Sequence, residues 1–471
     1  MFCDCIGGVY LMIHVHLIGI GGTGISSIAR VLLERGYKVS GSDRVLSPLA
    51  RELQAVGVAV YEGHQPANIQ DADLIVRSSA IPDDNAEVQA ALASGIPVLK
   101  RSDFLGSLMA DDFSIAVAGS HGKTTTAAMM AWVLTSLKQD PTFILGGVSK
   151  NLNTNAHAGS GKYFIIEADE YDRMFLGLNP DVILLTNVEY DHPDCFPTIG
   201  EYELAFRDFI KNIKPGGMLV ANELDAKRLN LIQDLPVTIQ GLTYGFSQDA
   251  NYQAANLKLN SQGCFNFEVH TTIDGKKLAV VNMSIPGEHN VLNALGVFSV
   301  LHQLGFAAES IAAAIGDFLG TGRRFEIVGE VSGITIIDDY AHHPAKIKAT
   351  LAAARNRFPG RRIIAVWQPH TYSRTKALAS EFSASFENAD LVIVSEIYAS
   401  REKLESYSAN EVVKNITSSD ARYIASLAEI TSFLIRELRS GDVVIVLSAG
   451  DANQVCIDVL SALSERKVNN G

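Results

Sequence analysis

The run Ile115-Ala116-Val117-Ala118-Gly119-Ser120-His121-Gly122-Lys123-Thr124-Thr125-Thr126 carries the residue types of a phosphate site. Four small or β-branched apolar residues, a glycine-bounded loop, Gly-Lys-Thr and the apolar run Ala127 to Leu134 predict a buried strand that turns directly into a helix. In that geometry the loop N–H groups and the positive end of the helix face one point, where a polyphosphate would be held. Lys123 would neutralise its outer phosphates, and the hydroxyl of Thr124 or Thr125 would reach Mg2+. The loop is shorter than the G-x-x-x-x-G-K-T pattern, because Val117 stands where that pattern begins with glycine. Taken alone, the stretch also reads as a glycine turn with an incidental lysine.

Further chemistry clusters at the ends of other apolar runs. Tyr163 to Glu170 and Val182 to Val188 look like strands buried on both faces of a parallel sheet, and active sites in such sheets lie beyond the carboxyl ends of the strands. Glu167 and His192, from neighbouring ends, are suitable ligands for Mg2+ or its waters. The plainer reading makes Glu167 and Glu170 acids at a helix start and His192 a surface loop residue. Earlier in the chain, His14 to Ile18 runs into Gly19-Ile20-Gly21-Gly22-Thr23-Gly24 and an amphipathic helix, with Asp43 ending a second strand about 20 residues on. That is the dinucleotide fingerprint, and by itself it points to an NAD- or FAD-dependent oxidoreductase.

These residues need a layered scaffold, and the pattern supplies one. Strand–helix alternation continues through Leu74 to Ser79 and Pro97-Val98-Leu99, and breaks in a polar segment near Asp103 to Asp112. Tyr252 to Met283 alternates like an antiparallel ribbon. After the glycine-rich, basic hinge Gly320 to Glu326, a last α/β unit places polar groups at strand ends: Asp338 to His343, Gln368 to Arg374, and Ser448 to Asp451. The expected fold is α/β in three domains. Residues 1–13 are a tail, 14–108 a Rossmann-like domain, 109–321 a phosphate-loop ATPase-like domain with a parallel sheet, and 322–471 a second Rossmann-like domain.

Length and composition agree with this division. At 471 residues, 47% hydrophobic and 19% charged, the chain suits about three globular units. A net charge of -13 argues against a nucleic-acid or anionic-membrane surface, so an anionic substrate needs a local basic pocket. The five cysteines, Cys3, Cys5, Cys195, Cys264 and Cys456, are scattered and form no disulfide framework, which fits a reducing, cytoplasmic setting. No apolar stretch is long enough to span a membrane as a helix.

Together, over residues 14 to about 460 and in order, these motifs resemble the Mur ligases, the ATP-dependent amide-bond-forming enzymes of peptidoglycan assembly. The resemblance implies that Gly19, Gly21, Gly22, Thr23 and Gly24, with Asp43, Ser78 and Ser79, hold a UDP-sugar instead of a nicotinamide cofactor. It makes Gly119, Ser120, His121, Gly122, Lys123, Thr124 and Thr125 the family's short phosphate loop, with Asn290, Asn293 and Arg324 completing the ATP site. Thr124, Glu167 and His192 fall where the family holds Mg2+, and Lys123, His192, His343 and Arg374 become the catalytic candidates. Asp338 to Pro344 and Gln368 to Arg374 are similar to motifs of the alanine-adding branch. The implied partners are UDP-N-acetylmuramate and L-alanine, with neither nucleic acid nor membrane, for a monomer or homodimer. His342, His343 and Arg374 would orient the amino acid. Tyr171-Asp172-Arg173 leans toward the murein-recycling tripeptide ligase, and Thr371 stands where an arginine is frequent. Glycine, L-serine and murein tripeptide therefore stay open as acceptors.

Overall fold

The computed structural model describes residues 5–6, 9–10, 12–273, 275–400 and 402–469. Cys3 and Asp4 lie outside them. Within the expected tail, Cys5–Ile6 pairs antiparallel with Val9–Tyr10. The chain divides into two compact units: one of Met1–Val188, Glu203–Tyr244 and Ser299–Gly305, the other of Glu189–Tyr202, Gly245–Phe298 and Phe306–Gly471.

The first unit holds two sheets. Strands β1 (His14–Ile18), β2 (Lys38–Asp43), β3 (Ala59–Glu62), β4 (Leu74–Arg77) and β5 (Val98–Lys100) form a parallel sheet in the order β3-β2-β1-β4-β5. The order reverses at β1, so the carboxyl end of β1 is a switch point, where such sheets open a crevice for ligand. All five residues of β1 are buried, as a strand covered by helices on both faces requires. The helices are α1 (Thr23–Glu34), α2 (Pro48–Ala55), α3 (Ala86–Ala93) and α4 (Arg101–Leu108). The expected polar break at Asp103 to Asp112 therefore starts inside a helix, which forms because Phe104 and Leu105 are buried on one side of it.

The second sheet of this unit contains β6 (Phe113–Ala118), β7 (Thr142–Ser149), β8 (Thr154–His157), β9 (Tyr163–Glu167), β10 (Val182–Leu185), β11 (Met218–Asn222) and β12 (Gln240–Gly245), in the order β8-β7-β9-β6-β10-β11-β12. Its strands are parallel with one exception, a correction to the all-parallel expectation: β8 runs antiparallel to β7. The two are joined by the short stretch 150–153, too short for a crossover, so a hairpin is the only connection available. Helix α5 (Lys123–Ser136) follows β6 and buries most of its length, from Lys123 to Leu134. The two sheets are tied by α1, which packs on β7 and β8, with Asn155 Nδ2 donating to Ser27 Oγ at 2.8 Å.

The second unit contains an antiparallel meander, β13 (Tyr252–Leu259), β14 (Phe265–Thr271) and β15 (Lys276–Asn282), as the alternation predicts. It also contains a six-stranded sheet of β16 (Glu326–Val331), β17 (Ile334–Asp339), β18 (Ile363–Trp367), β19 (Leu391–Val394), β20 (Asp420–Tyr423) and β21 (Val443–Leu447). The order is β16-β17-β21-β18-β19-β20, parallel except that β16 is antiparallel to β17. Apolar layers cover both faces of this sheet, one centred on Trp367 with Phe382 and Phe386, the other on Ile336, Val446 and Val455.

Candidate active site

The phosphate loop sits where β6 ends, and β6 is flanked by β9 on one side and β10 on the other. That register brings the ends of three strands to one place. From β10, Asn187 accepts the N–H of Ser120 on its carbonyl and the N–H of His121 on Oδ1, both at 3.0 Å, and Thr186 Oγ1 donates to His121 O at 2.6 Å. The loop is thus pinned by side chains that the sequence reading placed at a strand end but gave no role. Gly119 has φ of +133°, and a Cβ there would meet Thr186 Oγ1 at 2.1 Å, so only glycine lets the loop pass this close to β10.

From β9 comes the acid. Glu167 accepts from Thr124 Oγ1 at 2.9 Å and from the Gly146 N–H at 2.8 Å. A hydroxyl and a carboxylate already facing each other at the loop are hard oxygen donors of the kind Mg2+ takes, so the residues present fit that ion. Thr124 rather than Thr125 is the threonine paired with Glu167.

Lys123 is buried and donates to Gly119 O at 2.5 Å and to Glu170 Oε2 at 2.6 Å. Burial works against its charge, yet the attraction of Glu170, with Asp169 and Glu167, holds the ammonium above the ordinary lysine range. Burial pushes Glu170 up to about 7 in spite of Lys123. Glu170 does stand at a helix start, as the N-cap of the short helix Tyr171–Gly177, but its side chain makes no capping hydrogen bond there and is the counter-ion of Lys123. Nothing in the sequence distinguishes it from Asp169, since both follow the same buried strand that ends at Glu167.

At the other glycine-rich loop, Gly19 and Ile20 donate to Ser42 O, and Gly21 N–H donates to Asp43 Oδ2 at 2.9 Å. Asp43 also accepts the Arg44 N–H, so its carboxylate shapes the turn. Gly22 caps α1 without a side-chain hydrogen bond, and Thr23 and Gly24 form the first turn. Ser78 and Ser79 follow β4 beside the end of β1, with the Ser78 N–H on Ile18 O.

In the second unit, Arg374 is 3% exposed and ion-paired to Asp191, with Nη2–Oδ1 at 2.8 Å and Nε–Oδ1 at 2.9 Å. Its Nη2 lies 3.4 Å from His192 Nδ1 and its Nη1 3.3 Å from His370 Nδ1. Although burial opposes it, the attraction of Arg374 and of His192 drives the Asp191 carboxyl well below the usual range. The sequence reading singled out Arg374 and His192 but not the acid that joins them. His342 is buried, which with the nearby cations Lys346 and Arg374 lowers its basicity strongly, so it is neutral at pH 7. Its Nδ1 donates to Tyr340 O at 2.8 Å, which leaves Nε2 as the acceptor. His343 precedes Pro344 as the N-cap of the helix Pro344–Arg357. Asn290 and Asn293 form a linked pair at the start of the helix Glu288–Gln303, and Arg324 lies over the Tyr340 ring at 4.9 Å. Burial pushes Asp338 up to about 6 against the pull of Arg323.

The whole chain has relatives. Family models described as the Mur ligase family catalytic domain, the Mur ligase middle domain and the Mur ligase glutamate ligase domain match residues 14–113, 117–301 and 323–450. A UDP-N-acetylmuramate--L-alanine ligase of Pelotomaculum thermopropionicum is 41% identical over 461 residues, covering 96% of this chain and 98% of its own. Among solved structures, the UDP-N-acetylmuramate-alanine ligase of Thermotoga maritima superposes with a TM-score of 0.81 at 27% identity, covering 96% of this chain and 99% of the other. A murein peptide ligase of Psychrobacter arcticus gives 0.71 at 26%, covering 96% and 98%.

Proposed function

The chain belongs to the Mur ligase family, and we propose that it joins L-alanine to UDP-N-acetylmuramate, converting ATP to ADP and phosphate, in the cytoplasmic stage of peptidoglycan assembly. The observation that carries this reading is the buried Lys123 beside the Thr124–Glu167 pair, in a chain similar from end to end to alanine-adding ligases.

Both reactants of the first step are anions. The lactyl carboxylate attacks the γ-phosphorus, the bond to the β,γ-bridging oxygen breaks, and ADP leaves with an acyl phosphate formed. Such a transfer asks mainly for positioning and charge neutralisation, which the loop N–H groups and Lys123 supply. Lys123 reaches the phosphates by exchanging Glu170 for them. Thr124 and Glu167 would hold Mg2+, which when bound neutralises charge on the triphosphate. In the second step the amine of alanine attacks the acyl carbon, and the tetrahedral adduct collapses to amide and phosphate. Neutral His342 offers Nε2 to the amine N–H. Arg374, whose Nε and Nη2 are held by Asp191 and whose Nη1 meets His370 Nδ1, would take the alanine carboxylate on Nη1 in exchange for His370.

The test is ADP release by the purified protein with ATP, Mg2+ and UDP-N-acetylmuramate, adding L-alanine, glycine, L-serine or murein tripeptide in turn. Release strongest with L-alanine is expected. Release only with tripeptide would move the chain to the recycling branch, and tight NAD binding without UDP-sugar binding would replace the ligase reading altogether.

A further inference from the structure

Arg101, the first residue of α4, lies in an electrostatically odd place. Its guanidinium rests on the first turn of α1: a Cβ built on Gly24 would stand 1.9 Å from Arg101 Nη1 and 3.1 Å from Cζ, and the three atoms nearest to that Cβ all belong to Arg101. The third glycine of the fingerprint ordinarily gives room for a helix to pack on a strand. Here it gives room for an arginine.

The end of α1 is already positive. Its N-cap, Gly22, brings no side-chain acceptor, the first turn contains no acid, and the helical bonding begins only with Ser26 N–H on Gly22 O. The earlier N–H groups point out of the helix with the dipole behind them. A guanidinium added to this end is repelled unless an anion lies between. Among the described residues, Arg101 Nε is buried without a hydrogen-bond partner. The nearest acids, Asp169, Glu167 and Asp172, act on Arg101 only through space, and its burial outweighs them, lowering its hold on the proton. Glu167 is meanwhile engaged by Thr124 and Gly146.

We infer that Arg101 is the anion clamp of the glycine-rich loop, binding the diphosphate of the nucleotide-sugar together with the N–H groups of the first turn of α1. The inference rests on the UDP-sugar reading of that loop and adds to it a residue from a different element, α4, that no glycine-rich pattern predicts. Three features converge on it: a cradle with no Cβ, a helix end with neither cap nor acid, and a buried donor with nothing to donate to. A diphosphate satisfies all three, because it offers several acceptor oxygens to a planar fork of donors.

The experiment measures equilibrium binding of uridine, UDP and UDP-N-acetylmuramate to the full chain and to Arg101→Ala, Arg101→Lys and Gly24→Ala, with ADP binding as a control on the fold. Arg101→Ala is expected to weaken UDP and UDP-N-acetylmuramate alike by about 10- to 100-fold, the effect of losing a charged hydrogen-bonding group. Uridine and ADP should bind within about 2-fold of the parent. Arg101→Lys, which keeps the charge but not the fork, should lose less. Gly24→Ala, which keeps the arginine but occupies its seat, should follow Arg101→Ala. Unchanged UDP binding in Arg101→Ala, or an equal loss for uridine, would overturn the clamp. A loss confined to UDP-N-acetylmuramate would assign Arg101 to the lactyl carboxylate and overturn the diphosphate reading. Failure of the parent protein to bind UDP-N-acetylmuramate would instead overturn the proposed function, whatever the variants do.

Discussion

Removing the phosphate-loop lysine should expose the burial cost of Glu170, and that cost should depend on pH in a way its partner variant does not. In the parent, Lys123 and Glu170 are 2.6 Å apart and Glu170 is fully buried. In Lys123→Ala the carboxylate has no ammonium, so its folded-state value rises above the about 7 it has beside Lys123, against 4.5 for an ordinary glutamate. Between those two values the unfolded chain is ionised while the folded chain keeps the proton. The folded state thus binds more protons, and stability falls as pH rises, by about 1.4 kcal/mol per pH unit. From about pH 5 to about pH 7 the loss is roughly 2.5 kcal/mol, and at about pH 7 the whole penalty is about 3 kcal/mol, within the range for a broken buried pair. Lys123→Ala/Glu170→Gln has no proton to bind and should lack this slope, while remaining as inactive as the single variant. Urea denaturation of both variants across that pH range measures the difference directly. Parallel pH profiles would refute the reasoning, since they would mean that Glu170 finds water or another cation when Lys123 is gone.

Other substitutions test the remaining groups. Asp191→Asn leaves Arg374 buried without its counter-charge and should cost roughly 3–5 kcal/mol, read by denaturation. Because Arg374 depresses Asp191, the pair's contribution is present above the ordinary aspartate value and is lost only as pH falls through the lower folded value, so acid titration of the parent should leave it intact down to about pH 4. Thr124→Val removes the hydroxyl facing Glu167 and should raise the Mg2+ concentration needed for half-maximal ADP release by about 10-fold or more, with little change in stability. Trp367→Ala empties the centre of one apolar layer of the β17–β21 sheet and should destabilise by about 3–5 kcal/mol, visible as a lower denaturation midpoint.

Much of this molecule is local, and the local part is legible in the residue string. Buried strands announce themselves as short apolar runs, and Val182–Leu185 is found within the run Val182 to Val188. Lys123 and Thr124 are adjacent in sequence, and the roles proposed for them rest on one turn of chain between a strand and a helix. The alternation over Tyr252 to Met283 fixes a meander because side chains in a strand point alternately to two faces. Within the polar break expected at Asp103 to Asp112, the pattern did not show that Phe104 and Leu105 have a surface to bury against, which makes Arg101–Leu108 a helix.

Partnership between distant residues was decided only in three dimensions. Asp191 and Arg374 lie 183 residues apart, Thr124 and Glu167 43 apart, and Gly24 and Arg101 meet because α4 returns to the first turn of α1. Residue type says what each group can do, but a carboxylate at a strand end reads the same whether it awaits a metal, holds a lysine or closes on an arginine. The sheet order chooses among these, because placing β9 and β10 on either side of β6 determines which side chains share one low-dielectric spot, and there a single missing or added charge changes the chemistry.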